Sequence, residues 1–324
     1  MNLSAVDLRP FWRGVISLTE EDGGVCPERF TARQLKVCAE SGTFIIRAGA
    51  SAGCCLAMRT DAEAFSFDYR LSPGSTRDFY SFDLWVNGSL LRSVPGLMSK
   101  KTQGTISFSL PEGERSLCLY LPNLQRTQLF NVELNGASFA QPLPADRRLL
   151  CLGDSITQGF LARIHSGCYA GALARLLGAE LLNQGIGAEC YHAETLDEEL
   201  PFRPDLVTIA YGTNDWSTRT PDVFLREAER YLKKAARIFS GARIAVLTPL
   251  PRLDEDKHPD WPLPEARKAL EEIIRGIPDL LPIRGENLMP RDASLLEDHV
   301  HPNDRGFEVM TKNLFAALPG EWKR

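Results

Sequence analysis

No stretch of the 324 residues approaches the roughly 18–20 consecutive apolar positions that a membrane-spanning helix needs, and Met1 to Arg9 lack the basic start and apolar core of a secretory signal. A cytoplasmic protein is therefore expected, with no membrane partner. Basic clusters are equally scarce: only pairs such as Lys100-Lys101 and Lys233-Lys234 occur in a chain of formal charge −5. That balance argues against nucleic acid and for a small-molecule partner. The eight cysteines include no Cys-x-x-Cys pair and no Cys/His group at zinc-ligand spacing, so idle reduced thiols are expected, with no metal and no cofactor. A dinucleotide fingerprint is begun by Gly185-x-Gly187 but fails at Cys190, where its third glycine should stand. Carboxylate runs such as Glu198-Glu199 and Asp254-Glu255-Asp256 read as solvated faces, and His192 and His258 have no partners at ligand spacing.

Histidine is scarce as well, and its placement is informative. All five (His165, His192, His258, His299, His301) follow residue 146, so an imidazole base can come only from the second part of the chain. The excess charge lies there too. Residues 1–145 hold 14 Lys+Arg and 14 Asp+Glu, and the remainder hold 23 and 28. The two parts also differ in pattern. From about Val15 to Val132 run short segments rich in β-branched and aromatic residues, such as Thr43–Arg47, Ala64–Tyr69, Phe82–Val86, Gly104–Leu110 and Ser116–Leu121. With Asn87-Gly88 as a hairpin turn, these predict an all-β sandwich. Helical periodicity there is confined to the region of Ala32–Glu40. After the Pro-rich segment Gln141–Asp146 the pattern alternates: apolar strands Arg148–Leu152, Glu180–Asn183, Leu206–Tyr211 and Arg243–Leu247 are separated by helices at Cys168–Leu177, Pro221–Ser240, Pro264–Ile274 and Asp304–Leu318. A sandwich over 1–145 and a three-layer, doubly wound α/β domain over 146–324 are expected, with the ligand at the carboxyl ends of the parallel strands.

Three segments at those ends carry chemistry. Gly153-Asp154-Ser155-Ile156-Thr157 puts a serine on a strand-to-helix turn, where its hydroxyl is presented beside free backbone N–H groups; a capped turn is the bland alternative. Tyr211-Gly212-Thr213-Asn214-Asp215-Trp216 offers the Asn214 amide as a donor at the same rim. Asp298-His299-Val300-His301 places a carboxylate three residues ahead of a histidine, where it can hold Nδ1–H and leave Nε2 as a base; that spacing favours His301 over His299.

Together these segments resemble the SGNH, or GDSL, family of hydrolases and esterases over residues 147–320. The blocks are matched in family order by Gly153–Thr157, Gly212–Asp215 and Asp298–His301. A further block, Asn183-Gln184-Gly185-Ile186-Gly187-Ala188, departs from Asn-x-Gly-x-x-Gly by carrying Ala188 in place of the last glycine. The resemblance implies a metal-independent serine esterase with Ser155, His301 and Asp298 as its triad. Its oxyanion hole would use the Ser155 N–H, the Asn214 side chain and the N–H of either Gly187 or Ala188. Asp154, Asp215 and Trp216 are candidate substrate contacts. The sandwich is similar to the N-terminal jelly-roll of two-domain carbohydrate esterases, which implies an acetylated sugar as substrate. Trp12, Tyr80 and Trp85 could stack on one, or belong to the core. An acyltransferase with the same triad and a catalytically silent carbohydrate-binding protein are the alternatives.

Overall fold

The computed structural model describes residues 1–3 and 5–323. Its first part holds two six-stranded antiparallel sheets. One runs Ser17–Glu21, Gly24–Glu28, Arg126–Asn135, Ala64–Ser72, Gln103–Ser109, with Asn2–Leu3 also on Arg126–Asn135. The other runs Ala140–Pro142, Cys55–Thr60, Arg115–Tyr120, Phe79–Val86, Ser89–Leu97, with Trp12–Arg13 on Cys55–Thr60. Strict alternation along Ala64–Ser72 sends Phe65, Phe67, Tyr69 and Leu71 inward. They meet Phe82, Leu84, Leu117 and Leu119 of the opposite sheet in one aromatic-rich core. Asn87 and Gly88 both adopt positive φ (50° and 77°), the turn that joins Phe79–Val86 to Ser89–Leu97 without splaying them. Trp12 and Tyr80 are core residues, 3% and 2% exposed. Trp85 is half-buried, stacked under the Arg175 guanidinium at 3.9 Å and donating Nε1–H to Ser166 Oγ at 2.9 Å. None of the three faces the cleft described below.

One predicted strand is a helix. Thr43–Arg47 lies within the helix Gly42–Ala48, beside a second helix, Ala32–Cys38. A five-residue apolar run cannot distinguish a period of 2 from one of 3.6, and packing decides: Phe44, Ile45 and Ala48 close over Phe30, Cys38 and Ile186, leaving Ile46 at 45% exposure.

The second part is a five-stranded parallel sheet in the order Ala179–Gly185, Arg147–Gly153, Leu206–Ala210, Arg243–Leu247, Leu280–Ile283. Leu150, Leu152, Val207, Ile209 and Val246 face the helices Pro221–Ile238 and Leu263–Arg275. Leu149, Cys151, Ala245 and Leu247 face Tyr169–Leu177 and Asp304–Ala317. Both faces are covered, which is why these strands read as unbroken apolar runs. The fifth strand escaped the sequence reading because it is only four residues, Leu-Leu-Pro-Ile; Pro282 is tolerated since the strand is an edge. Among the described residues no helix is long and apolar enough to cross a membrane. The first strand in sequence, Arg147–Gly153, has its successors on opposite sides, so the crevice opens at its carboxyl end.

Polar groups join the two parts just beneath that crevice. The fully buried Arg29 guanidinium donates to the carbonyls of Arg47 (2.9 Å) and Ala50 (2.6 Å) on one side. On the other side it donates to Asn183 and to Gly185 (3.3 Å), at the end of the parallel-sheet edge strand. Burial draws its pKa down to about 10, which leaves it charged at neutral pH. Farther along, the buried His165 ring accepts the Asn123 N–H at Nδ1 (2.9 Å), and Asn123 Nδ2 donates to the His165 carbonyl (2.9 Å).

Candidate active site

Ser155 opens the short helix Ser155–Gln158 at the end of Arg147–Gly153, and Asp154 caps it by accepting the Ile156 N–H at 2.9 Å. The turn is tight enough to demand glycine on two strands. A Cβ on Gly153 would stand 2.7 Å from the Ala210 carbonyl oxygen, and one on Gly185 would stand 2.3 Å from the Gln158 nitrogen. These close approaches bring the three strand ends together around the serine.

His301 arrives from the loop before Asp304–Ala317, held by backbone pairing of Leu296 with Pro302 and by the Glu297 N–H donating to the His301 carbonyl at 2.9 Å. Its Nε2 lies 2.8 Å from Ser155 Oγ, and its Nδ1 lies 2.8 Å from Asp298 Oδ2. Because an ionised carboxylate only accepts, Nδ1 carries the hydrogen and Nε2 is free to accept the serine proton. Asp298 also accepts the N–H groups of Val300 (2.8 Å) and His301 (2.7 Å) through Oδ1. Burial acts to raise its pKa, but these bonds outweigh it and hold the carboxyl far below the usual range. The ring packs edge-on against Phe160, centroids 4.7 Å apart. His299 is exposed, and its backbone carbonyl accepts the Leu253 N–H at 2.9 Å.

The pairing of Ser155, His301 and Asp298 is accompanied by backbone and amide donors. Gly187's N–H is already used: it donates to Gln158 Oε1 at 2.8 Å. The next N–H, that of Ala188, has no protein acceptor among the described residues, and Ala188 lines the cleft. It does so with φ +62°, a left-handed conformation that costs an alanine about 1–2 kcal/mol and a glycine almost nothing. Asn214 Nδ2 spends one hydrogen on the Glu189 carbonyl (3.0 Å), leaving its second without a protein acceptor among the described residues.

A cleft of about 180 Å³ opens over these groups. Its far wall comes from the first part of the chain, through Arg47, Ser75, Thr76 and Leu124, facing Phe160 and His301. Nothing in the sequence marked these wall residues, since a loop between strands and one face of a short helix carry no periodic signal. Gln158 was detectable in principle, three residues after Ser155 and so one helical turn on.

Three expected substrate contacts lie elsewhere. Trp216 is 1% exposed and donates Nε1–H to the Trp261 carbonyl at 2.9 Å, packed in the core behind the turn. Asp215 is fully buried, accepting Arg219 at 2.6 Å and the Tyr191 N–H at 3.2 Å. Asp154 turns away from the cleft into its capping bond. Adjacent positions on a tight turn point in different directions, and the two that follow Asn214 point inward.

These carboxyls sit where charge is penalised. Burial pushes Asp154 up to about 7, with Asp215 adding to the rise against the opposing Ile156 N–H; burial likewise pushes Glu189 to about 7 and, despite Arg219, Asp215 to about 6. Folded Asp154 therefore holds its proton more tightly than the unfolded chain does. Its stabilising contribution is complete below about pH 4 and is lost as the pH rises through about 7. Asp154→Asn, which keeps the oxygen that accepts the Ile156 N–H, is expected to exceed the parent in stability by on the order of 3 kcal/mol near pH 8.5 and by little near pH 4.5. Denaturant unfolding at the two pH values checks this.

Among the described residues no three His, Cys, Asp or Glu side chains are grouped so as to hold a metal ion. Residues 151–309 match the GDSL-like lipase/acylhydrolase family model, and residues 11–130 match the SsfX3 N-terminal domain model. An acetylxylan esterase of Xylanibacter ruminicola is 26% identical over 212 residues, covering 53% of this chain; the chain spans only 43% of that relative's length. Two solved structures share the fold along the whole chain. The salicylyl-acyltransferase SsfX3 from a tetracycline biosynthetic pathway superposes with a TM-score of 0.84 at 21% identity, covering 100% of this chain and 99% of its own. A family two carbohydrate esterase from Cellvibrio japonicus gives 0.68 at 16%, covering 100% and 99%. The chain thus carries a GDSL-like lipase/acylhydrolase family domain, with an SsfX3 N-terminal domain ahead of it.

Proposed function

We propose that the protein is a serine-dependent ester hydrolase acting on short acyl esters, with an acetylated sugar as the leading substrate class. The observation that carries this reading is the unbroken chain from Ser155 Oγ through His301 to Asp298, with 2.8 Å at each link. In it, Ser155 Oγ bonds to the ester carbonyl carbon while its proton passes to His301 Nε2. Asp298 holds the ring and stabilises the imidazolium. The tetrahedral oxyanion is met by the N–H groups of Ser155 and Ala188 and by the Asn214 amide. Collapse breaks the bond to the alcohol oxygen, which leaves with the proton from His301. Water, deprotonated by the same Nε2, then releases the acid and restores the serine. In this reading the catalytic unit is the part from residue 146 onward, and the preceding sandwich supplies the opposite wall of the cleft.

The matching acetylxylan esterase supports the sugar ester as substrate class. A second reading, transfer of the acyl group to an alcohol in place of water, draws on the SsfX3 match along the N-terminal part and the superposition over the full chain. Product analysis with a competing alcohol acceptor separates the two.

The test uses short p-nitrophenyl esters and acetylated sugars. Ser155→Ala is expected to abolish turnover, and intact turnover in that variant contradicts the reading. Asn214→Ala is expected to cost about 2.7–4 kcal/mol of transition-state stabilisation, read as a fall of roughly 100- to 1,000-fold in kcat with little change in KM.

A further inference from the structure

Arg47 is the feature of the cleft that ester hydrolysis does not explain. It leaves the helix Gly42–Ala48 half-buried and lines the same cavity as Ser155. Two of its five N–H donors are engaged, Nε with Ser75 Oγ at 2.8 Å and Nη1 with the Gly187 carbonyl. No carboxylate lies within ion-pair distance of it among the described residues, and no acidic side chain lines the cavity. The buried Arg29 also lacks a carboxylate, but its guanidinium is spent on backbone carbonyls inside the protein, whereas that of Arg47 keeps donors free at an open cleft. Its neighbours reinforce the imbalance. The Ser75 hydroxyl accepts from Arg47, so its own hydrogen is left to donate, and the exposed Thr76 hydroxyl stands beside it. Arg77 follows on the same loop, its guanidinium 5.0 Å from the Phe160 ring that packs on His301, but it lines the neighbouring pocket, together with Glu297, and leaves Arg47 as the cation of this cleft. The wall opposite the nucleophile is therefore rich in donors and cationic, next to the apolar surfaces of Leu124 and Phe160.

We propose that the cleft selects esters whose non-reacting part carries a carboxylate, and that Arg47 is the residue that binds it. The proposal rests on the ester-hydrolase reading and deepens it by naming the substrate's charge. A guanidinium with three donors free suits the planar, two-oxygen geometry of a carboxylate. The sugar most consistent with this wall is a uronic acid rather than a neutral pentose or hexose.

The experiment compares kcat/KM for three acetyl- or acyl-ester probes of matched size: an O-acetylated methyl glucuronoside, the corresponding methyl glucoside, and the hemisuccinate ester of a simple alcohol. The first and third put the carboxylate on the alcohol side and the acyl side, respectively. Wild-type protein is expected to prefer one of the charged esters roughly 10- to 100-fold, the preference falling as salt is raised. In Arg47→Gln the ratio of charged to neutral turnover is expected to collapse towards one, and in Arg47→Lys to fall part of the way. Any loss that Arg47→Gln inflicts on all substrates, through Gly187, cancels in the ratio. Equal treatment of charged and neutral esters by the wild type, or a preference that survives Arg47→Gln, overturns the proposal. If no ester is turned over at all, the hydrolase reading fails, and calorimetric binding decides separately: methyl glucuronoside must bind wild type at least tenfold more tightly than methyl glucoside and lose that advantage in Arg47→Gln. Equal binding overturns the proposal.

Discussion

Replacing His301 by alanine is expected to lower kcat on a short ester by about four to six orders of magnitude while changing KM little. The imidazole is the only base within hydrogen-bond reach of Ser155 Oγ among the described residues, at 2.8 Å, and a serine hydroxyl alone is a poor nucleophile near neutral pH. Asp298→Asn is expected to cost about four orders of magnitude for a different reason. An amide at that position can present its NH2 to Nδ1, which drives the ring hydrogen to Nε2 and removes the lone pair that should take the serine proton. The fold should tolerate the change, because the amide oxygen can still accept the N–H groups of Val300 and His301. Circular dichroism and denaturant midpoints matching the parent, together with the loss of turnover, would separate this from misfolding. A His301→Ala protein that keeps more than a tenth of wild-type kcat would remove the histidine from the mechanism. Deleting both His301 and Ser155 should cost little more than either alone, since they act as a unit.

Arg29→Met is expected to destabilise the protein by about 3–5 kcal/mol. Methionine fills the space but donates nothing, so the carbonyls of Ala50 and Asn183 would lose their guanidinium donor, and that of Arg47 would keep the longer bonds from the Ala50 N–H (3.3 Å) and Gln158 Nε2 (3.4 Å). The loss has a functional arm as well. Arg29 ties the end of the helix that carries Arg47 to the end of the strand that leads into Gly187 and Ala188. Activity measured well below the melting temperature should therefore fall with the stability. Arg29→Lys is expected to lie between the two, because an ammonium offers three donors from one point where the guanidinium spreads five across a plane. A shift in unfolding free energy below about 1 kcal/mol for Arg29→Met would show that water or repacking serves those carbonyls instead.

Much of this was legible in the sequence, and the parts that were not share a cause. Four of the five parallel strands and the four long helices between Arg147 and Ala317 were readable because each buries a sustained apolar run or face, and the grouping of Ser155, His301 and Asp298 because it follows from fixed local spacings. The helix Gly42–Ala48 was misread as a strand because its apolar run is too short to show a period. Asp215 and Trp216 were expected in the pocket because they adjoin Asn214 in sequence, whereas the turn sends them into the core. The bond of the Gly187 N–H to Gln158 Oε1, which leaves Ala188 as the proposed donor, follows from no motif. Arg47 gave no signal, since its place on the cleft wall comes from packing against Gly187, 140 positions along the chain.

The central claim, that Ser155 is a nucleophile activated by His301 and Asp298, is tested most directly by a fluorophosphonate probe whose adduct is located by mass spectrometry. A single adduct is expected, on Ser155, formed in step with loss of ester turnover, absent in Ser155→Ala and slowed by orders of magnitude in His301→Ala. An unlabelled Ser155 in a protein that still turns over esters, or an adduct elsewhere that tracks the loss of activity, would contradict it.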